Sequence, residues 1–182
     1  MTLFYHGCKK NMKKSEKIRE DTGLMRSYKK MTKILFVCHG NICRSPMAEF
    51  VMKELVRKAG LENEFLIRSA ATSREEIGND VHPGTRNRLY EAGIPVEHRR
   101  ATQMTARDGQ EYDYLIGMDR YNLRNMKAIL REEDWHKVSL LLQFCGESRD
   151  VADPWYTGDF DATYEDVDRG CRALLQAITG SR

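Results

Sequence analysis

Residues Ile34-Leu35-Phe36-Val37 form a short unbroken apolar run that gives way at once to Cys38-His39-Gly40-Asn41-Ile42-Cys43-Arg44, and then to Ser45-Pro46. Four consecutive apolar residues bounded by polar ones predict a strand buried on both faces. Ser45-Pro46 predicts the start of a helix. Serine is a favoured N-cap, and proline suits the first helical position, where an N–H would be unpaired anyway. This helix is expected to run to about Ala59, with Gly60 ending it. Buried strand, tight polar loop and helix in immediate succession commit the chain to an α/β architecture.

The remainder repeats that alternation. Strands are expected at 65–69, 112–118 and 138–144, and helices at 85–92, closed by Gly93, and at 120–130. A final helix over 164–178 carries Val167, Cys171, Leu174, Leu175 and Ile178 as one apolar stripe. The predicted fold class is α/β: a four-stranded parallel sheet with helices on both faces and the loop of interest after the first strand. A length of 182 residues suits one core. No internal repeat and no second domain is visible.

Charge is unevenly distributed. Residues 1–30 carry nine Lys or Arg against three Asp or Glu, a net +6, whereas the whole chain is +3. Residues 31–182 therefore have a net charge of −3. The expected organisation is a basic, flexible extension over 1–30 and a single domain over 31–182. The basic character belongs to the extension, so no nucleic-acid partner is expected. No stretch approaches the roughly 20 apolar residues of a membrane span, and no apolar leader of the secretory kind is visible. The expected location is cytoplasmic. Five cysteines make a complete disulfide framework impossible within one chain, so free thiols are expected.

The loop from Cys38 to Arg44 carries the chemistry. In open α/β sheets, ligands bind beyond the carboxyl ends of the strands. Backbone N–H groups of His39, Gly40, Asn41, Ile42 and Cys43, with the unpaired donors of the following helix, can converge on an anion. Gly40 permits backbone angles that other residues resist. Arg44 offers a planar fork suited to two phosphate oxygens. The same donor-rich surroundings favour the thiolate of Cys38, so one loop would bind a dianion and activate the nucleophile that attacks it. Ser45 is expected to cap the helix and to donate to the Cys38 sulfur. A cysteine at the end of a buried strand is, by itself, more often a small core residue. The joint context of strand, loop, arginine, Ser-Pro and helix favours the nucleophile.

Further along, Asp153-Pro154-Trp155-Tyr156 follows the fourth expected strand. Phosphate-ester cleavage of this type asks for a carboxyl that donates a proton to the leaving oxygen and then activates water. By composition alone, Asp153-Pro154 is a surface turn. Pro154 restricts the backbone on both sides of it. Trp155 and Tyr156 can sandwich a phenyl ring, which favours phosphotyrosine over the shorter phosphoserine.

The run VCHGNICRSPMAE resembles the phosphate-binding signature of the low-molecular-weight protein tyrosine phosphatases, and the similarity extends over most of 32–180. The resemblance implies a phosphocysteine intermediate, no metal and no cofactor, a phosphotyrosine-bearing protein as substrate, and a monomer or weak dimer. Asp153-Pro154 resembles the family's acid loop, and it is this resemblance that implies Asp153 for the proton-transfer role. By the same resemblance, Asn41 shapes the loop, Ser69 supports Asn41, and Glu49 and His98 form a bonded pair near the loop, with His98 linked to Ser45. His39 falls at a variable position of the family's loop, so its side chain is not an obvious ligand. Cys43 is implied as the partner of Cys38 in a reversible disulfide. Cys145 and Cys171 are expected in the core, and Cys8 lies in the extension without an assignable role. The chain departs from the family where an aromatic commonly walls the pocket, since Arg74-Glu75-Glu76 stand there. That departure is expected to disfavour acidic peptides. Family members also more often carry Tyr where Trp155 stands.

Three alternatives remain at this level. An arsenate reductase on the same fold would need a further pair of closely spaced cysteines in mid-chain, and residues 72–101 contain none. A phosphoarginine phosphatase would tend to carry Thr at position 42, where this chain has the apolar Ile42. A phosphate-binding or redox-sensing module would need neither the nucleophile nor the acid.

Overall fold

The computed structural model describes residues 31–180. The expectation for 1–30 lies outside the described residues. Strand β1 (Thr32–Cys38) is followed by helix α1 (Arg44–Lys58), β2 (Phe65–Ala71), α2 (Pro83–Glu91), α3 (Ala106–Glu111), β3 (Tyr114–Gly117), α4 (Arg120–Ile129), β4 (Val138–Leu140), the single-turn α5 (Pro154–Thr157) and α6 (Phe160–Gly180). The strands form one parallel sheet in the order β2-β1-β3-β4, as the alternation predicts. Strand β1 is central, and Cys38 pairs with Ala71 while Val37 pairs with Gly117. The loop after β1 therefore opens at the middle of the sheet's carboxyl edge.

Alternation along β1 divides the core between the two faces of the sheet. Ile34, Phe36 and Cys38 pack with Met47, Val51, Leu141, Val167, Cys171 and Leu174 beneath α1 and α6. Leu35 and Val37 point the other way, into Leu115, Met104, Met126 and Leu130 on the α4 side. Burial on both faces is what the continuous apolar run requires. The α6 stripe is buried at Val167, Cys171, Leu174 and Ile178. Cys145 is only half-buried against this core. Among the described residues no helix is long and apolar enough to cross a membrane.

Several boundaries differ from expectation for identifiable reasons. The fourth strand stops at Leu140, and Leu141–Cys145 turn into a 3-10 helix whose Leu141 and Leu142 are fully buried. A short apolar run has no period that separates strand from buried helix, so the same residues suit either conformation. The third strand is shorter than 112–118, because Tyr112 still closes α3. Helix α3 itself was not expected. It is six residues long, opened by a reciprocal cap between Thr105 and Asp108. Its Gly109 lies where a Cβ would come within 2.5 Å of the Asp134 carboxylate. Helix α1 opens one residue before Ser45 and has no side-chain cap. The Ser45 hydroxyl is engaged elsewhere.

Candidate active site

The backbone of the loop after β1 turns at Asn41, which has φ +59°. The left-handed region disfavours most side chains, and asparagine is among the few that visit it readily. Asn41 is fully buried, and every polar group it has is satisfied. Its N–H donates to the Cys38 sulfur at 3.2 Å. Its Nδ2 donates to Ser45 Oγ at 2.8 Å and to Ser69 Oγ at 2.9 Å. Its Oδ1 accepts from Thr102 N at 3.2 Å and from Arg99 Nη2, and its carbonyl accepts from Arg99 Nη1 at 2.9 Å. Such saturation over-determines an otherwise unfavourable backbone conformation.

Ser45 Oγ sits 3.0 Å from Cys38 Sγ. Either atom can donate in the neutral pair, but a thiolate can only accept, which makes the serine the donor. The other contact open to the hydroxyl proton, the Ala70 carbonyl, is longer at 3.4 Å. This inward engagement is why Ser45 does not cap α1. The support continues outward, with Ser69 Oγ donating to Glu49 Oε2 at 2.6 Å and Lys53 Nζ donating to Glu49 Oε1 at 2.6 Å.

Arg44 lies in the first turn of α1 and is almost wholly buried. Its Nη1 donates to Asp119 Oδ2 at 2.7 Å, and its Nη2 is 2.5 Å from Asp153 Oδ2. The two carboxylates are held in the same way. Asp119 Oδ1 accepts from Asn122 N at 2.6 Å at the start of α4. Asp153 Oδ1 accepts from Trp155 N at 3.1 Å at the start of α5. Each aspartate thus directs one oxygen to a helix start and the other to Arg44. Burial works against the Arg44 charge, yet Cys38, Asp153 and Asp119 together hold the guanidinium above its ordinary value. The segment before Asp153 is pinned at Ala152, whose N–H donates to Asp166 at 3.1 Å and whose carbonyl accepts from Thr163 Oγ1 at 2.9 Å.

These groups surround a cavity of about 600 Å³. Cys38, His39, Gly40, Ile42, Cys43 and Arg44 line it from the loop, and Asp153, Trp155 and Tyr156 from the α5 side. Asn41, Ser45, Ser69 and Glu49 support the loop from behind, so the structure brings all these sequence candidates together. Asp119 and the buried Asn122 also line the cavity, and the rim adds Glu75 and Glu76, with Tyr121 and Asn125 from α4. The His39 ring, exposed, meets Glu75 Oε2 at 2.9 Å. Cys43 is buried, and burial followed by the nearby Cys38 pushes its thiol up to about 12.

His98 is the exception. It is paired with neither Glu49 nor Ser45; its side chain is 70% exposed, with Nδ1 3.4 Å from Asp80. The neighbouring Arg99 occupies the expected place, 3.7 Å from Glu49 and bonded to Asn41. In an extended segment, consecutive side chains point to opposite sides, so a one-residue offset exchanges the buried partner for an exposed one. Sequence reasoning also missed Asp119. The signal available was Asp119 with Asn122, a reciprocal helix cap directly after a strand. Its relevance depends on β3 lying beside β1.

A family profile described as low molecular weight phosphotyrosine protein phosphatase matches residues 33–182. The low molecular weight protein-tyrosine-phosphatase YfkJ of Bacillus subtilis is 37% identical over 150 residues, covering 81% of this chain and 96% of that protein. The human low molecular weight phosphotyrosine protein phosphatase is 38% identical over 148 residues, 79% of this chain and 93% of its own length. The crystal structure of YfkJ superposes with a TM-score of 0.81 at 36% identity, covering 84% of this chain and 97% of that one. A Streptococcus pyogenes low molecular weight protein tyrosine phosphatase gives 0.72 at 41% identity, with 81% and 93% covered. The chain belongs to the low-molecular-weight protein-tyrosine-phosphatase family, whose members are phosphoric monoester hydrolases.

Proposed function

We propose that the chain hydrolyses phosphotyrosine in proteins through a phosphocysteine on Cys38, with Arg44 binding the phosphoryl group and Asp153 acting as acid and then base. The observation that carries this reading is the Arg44 guanidinium at the cavity floor, one nitrogen on Asp119 and the other on Asp153. The bond to Asp119 aims the fork. An incoming phosphate oxygen takes over the nitrogen held by Asp153, which frees that carboxyl to turn toward the leaving group. Attack by the Cys38 thiolate forms the S–P bond as the P–O bond to the phenol breaks, and Asp153 gives its proton to the departing oxygen. In the second step Asp153 takes a proton from water, the water oxygen attacks phosphorus, and Cys38 leaves as a thiolate. Ser45, 3.0 Å away, donates to that sulfur.

Ile42 keeps the cavity wall apolar for an aryl group, and Trp155 and Tyr156 stand exposed beside the mouth. Both features favour an aryl phosphate over a phosphoarginine. An arsenate reductase relay lacks support, since Cys145 and Cys171 belong to the core around α6 rather than to the cavity. Cys43, in the same loop as Cys38, is the natural partner for a reversible disulfide formed from a Cys38 sulfenic acid with loss of water. The rim carboxylates Glu75 and Glu76 disfavour acidic residues flanking the phosphotyrosine.

Hydrolysis of para-nitrophenyl phosphate by the purified chain tests the reading. Vanadate-sensitive turnover that Cys38→Ser abolishes is expected. Turnover that Cys38→Ser leaves intact, or its absence from the unaltered protein, overturns it.

A further inference from the structure

The Arg99 side chain is only 13% exposed. It lies in the segment that runs alongside β2, tied there by Ala71 N–H to Thr102 O and Met104 N–H to Ala71 O, both at 2.8 Å. A guanidinium withdrawn this far from water needs a reason, because burial pushes its pKa down and Glu49 only partly offsets that. Its two terminal nitrogens both address Asn41, one the backbone carbonyl and the other the side-chain oxygen. Its Nε is 3.7 Å from Glu49 Oε2, an ion-pair distance and too long for a hydrogen bond. The fork therefore straddles the one non-glycine residue of positive φ among the described residues, in the middle of the phosphate loop.

Asn41 is the residue whose N–H reaches the Cys38 sulfur and whose Nδ2 reaches Ser45. A left-handed residue holds that orientation only while its surroundings enforce it. Without Arg99 the buried Asn41 carbonyl would lose the partner shown for it. Its Oδ1 would keep only Thr102 N, at 3.2 Å. The cation on the Asn41 carbonyl also polarises the peptide group whose N–H belongs to Ile42, a cavity-lining residue, and so strengthens a donor of the loop. A lysine has one ammonium where Arg99 has a rigid fork, so it cannot bridge both acceptors with the same geometry.

We propose that Arg99 is a positioning residue: its guanidinium clamps Asn41 in the left-handed conformation and thereby fixes the donors that Asn41 aims at Cys38 and Ser45. The inference rests on the reading of Cys38 as nucleophile and goes beyond it. Arg99 touches neither substrate nor sulfur and acts through Asn41.

A double-mutant cycle with Arg99→Met and Asn41→Ala tests it, with Arg99→Lys as the charge-conserving variant. kcat/KM on para-nitrophenyl phosphate, the vanadate inhibition constant and the thermal midpoint are measured for each. Arg99→Met is expected to lower kcat/KM by about 10–100-fold, up to the cost of a misplacement of about an ångström at a reacting centre, and to weaken vanadate in parallel. Arg99→Lys is expected to fold and to recover only a minor part of the loss. In the Asn41→Ala background, Arg99→Met is expected to cost less than about threefold, because the two residues act as one unit. The inference is overturned if Arg99→Met has unaltered kcat/KM, or if Arg99→Lys restores it fully. It is equally overturned if the loss is as large without Asn41, or if activity falls only in proportion to folded protein. Turnover independent of Cys38, seen with Cys38→Ser alongside, would strike the nucleophile reading itself and this inference with it.

Discussion

The floor of the cavity and its rim are built on opposite principles. On the floor, Asn41 and Ser45 are fully buried, Arg44 nearly so, and the Asn41 amide, the Ser45 hydroxyl and both terminal nitrogens of Arg44 each have a named partner. At the rim, Tyr121 and Tyr156 are 68% and 85% exposed, and the Glu75 carboxylate meets the exposed His39 ring. Removing one partner from a buried, saturated network strands the other at the full desolvation cost, whereas a solvated side chain is replaced by water. On the proposed function, the floor should therefore govern whether chemistry occurs, and the rim which substrate reaches it. Substitutions in the two regions should separate by magnitude and by the kinetic constant they move.

The largest effect is expected where the floor meets the α5 segment. Asp153→Asn keeps an oxygen to accept from Trp155 N but has no acidic proton to give. kcat/KM on phosphotyrosine, which reports the step that breaks the bond to the phenol, should fall by about 10²–10⁴-fold, the usual worth of a positioned general acid. The loss on aryl phosphates with good leaving groups should be much smaller, since their phenolates depart without protonation. Equal losses on both would remove Asp153 from the acid role and would place it with the passive supports of the floor.

Asp119→Asn should come next. The amide oxygen can still cap α4, but the NH2 group then faces the Arg44 Nη1 that the carboxylate held at 2.7 Å. A fork turned by even an ångström misplaces the phosphoryl group, which can cost about 10²-fold. The expected loss is about 10–100-fold in kcat/KM, accompanied by weaker inhibition by inorganic phosphate. Unlike Asp153→Asn, it should be the same for good and poor leaving groups. A leaving-group dependence would show that Asp119 takes part in proton transfer, contrary to the reading of it as an anchor for Arg44.

What could be read from the chain follows the same division between local and distant contacts. Strand, loop and α1 are contiguous, so the apolar run, Gly40, Arg44 and Ser45-Pro46 announced the floor together. Asp119 and Arg99 reach it from 75 and 58 residues away. Their arrival depends on β3 pairing with β1 and on the 99–104 segment lying along β2, and no pattern in the sequence encodes either pairing. The error at His98 has the same origin, because a one-residue offset in an extended segment leaves local composition untouched while exchanging its buried and exposed sides. The Ser45 cap failed differently. The local preference was sound, but the hydroxyl had a stronger claim on it from Cys38 and Asn41. At the fourth strand, three consecutive leucines carried the burial without the conformation.

The rim offers the smallest effects. Glu76 packs against the loop, since a Cβ at Gly40 would meet its Cγ at 3.0 Å, and Asn79 Nδ2 holds its carboxylate at 2.6 Å. The Glu75 carboxylate is held only by the exposed His39 ring among the contacts described. The more firmly placed charge should discriminate more, because a mobile, solvated carboxylate spreads its field through water. Exposed pairs are worth about 0.2–1 kcal/mol, or a few-fold in a rate ratio at most. Glu76→Gln should therefore raise kcat/KM for phosphotyrosine peptides with flanking Asp or Glu by about two- to fivefold relative to peptides with flanking Lys, and Glu75→Gln by less. para-Nitrophenyl phosphate, which has no flanking residues, should be turned over almost unchanged by both variants. The preference should also fade in salt as screening shortens to a few ångströms near 1 M. A peptide preference that survives both substitutions would mean that the aromatic wall at Trp155 and Tyr156 sorts substrates by shape. A changed rate on the small ester would mean that Glu76 is braced against Gly40 closely enough to belong to the floor.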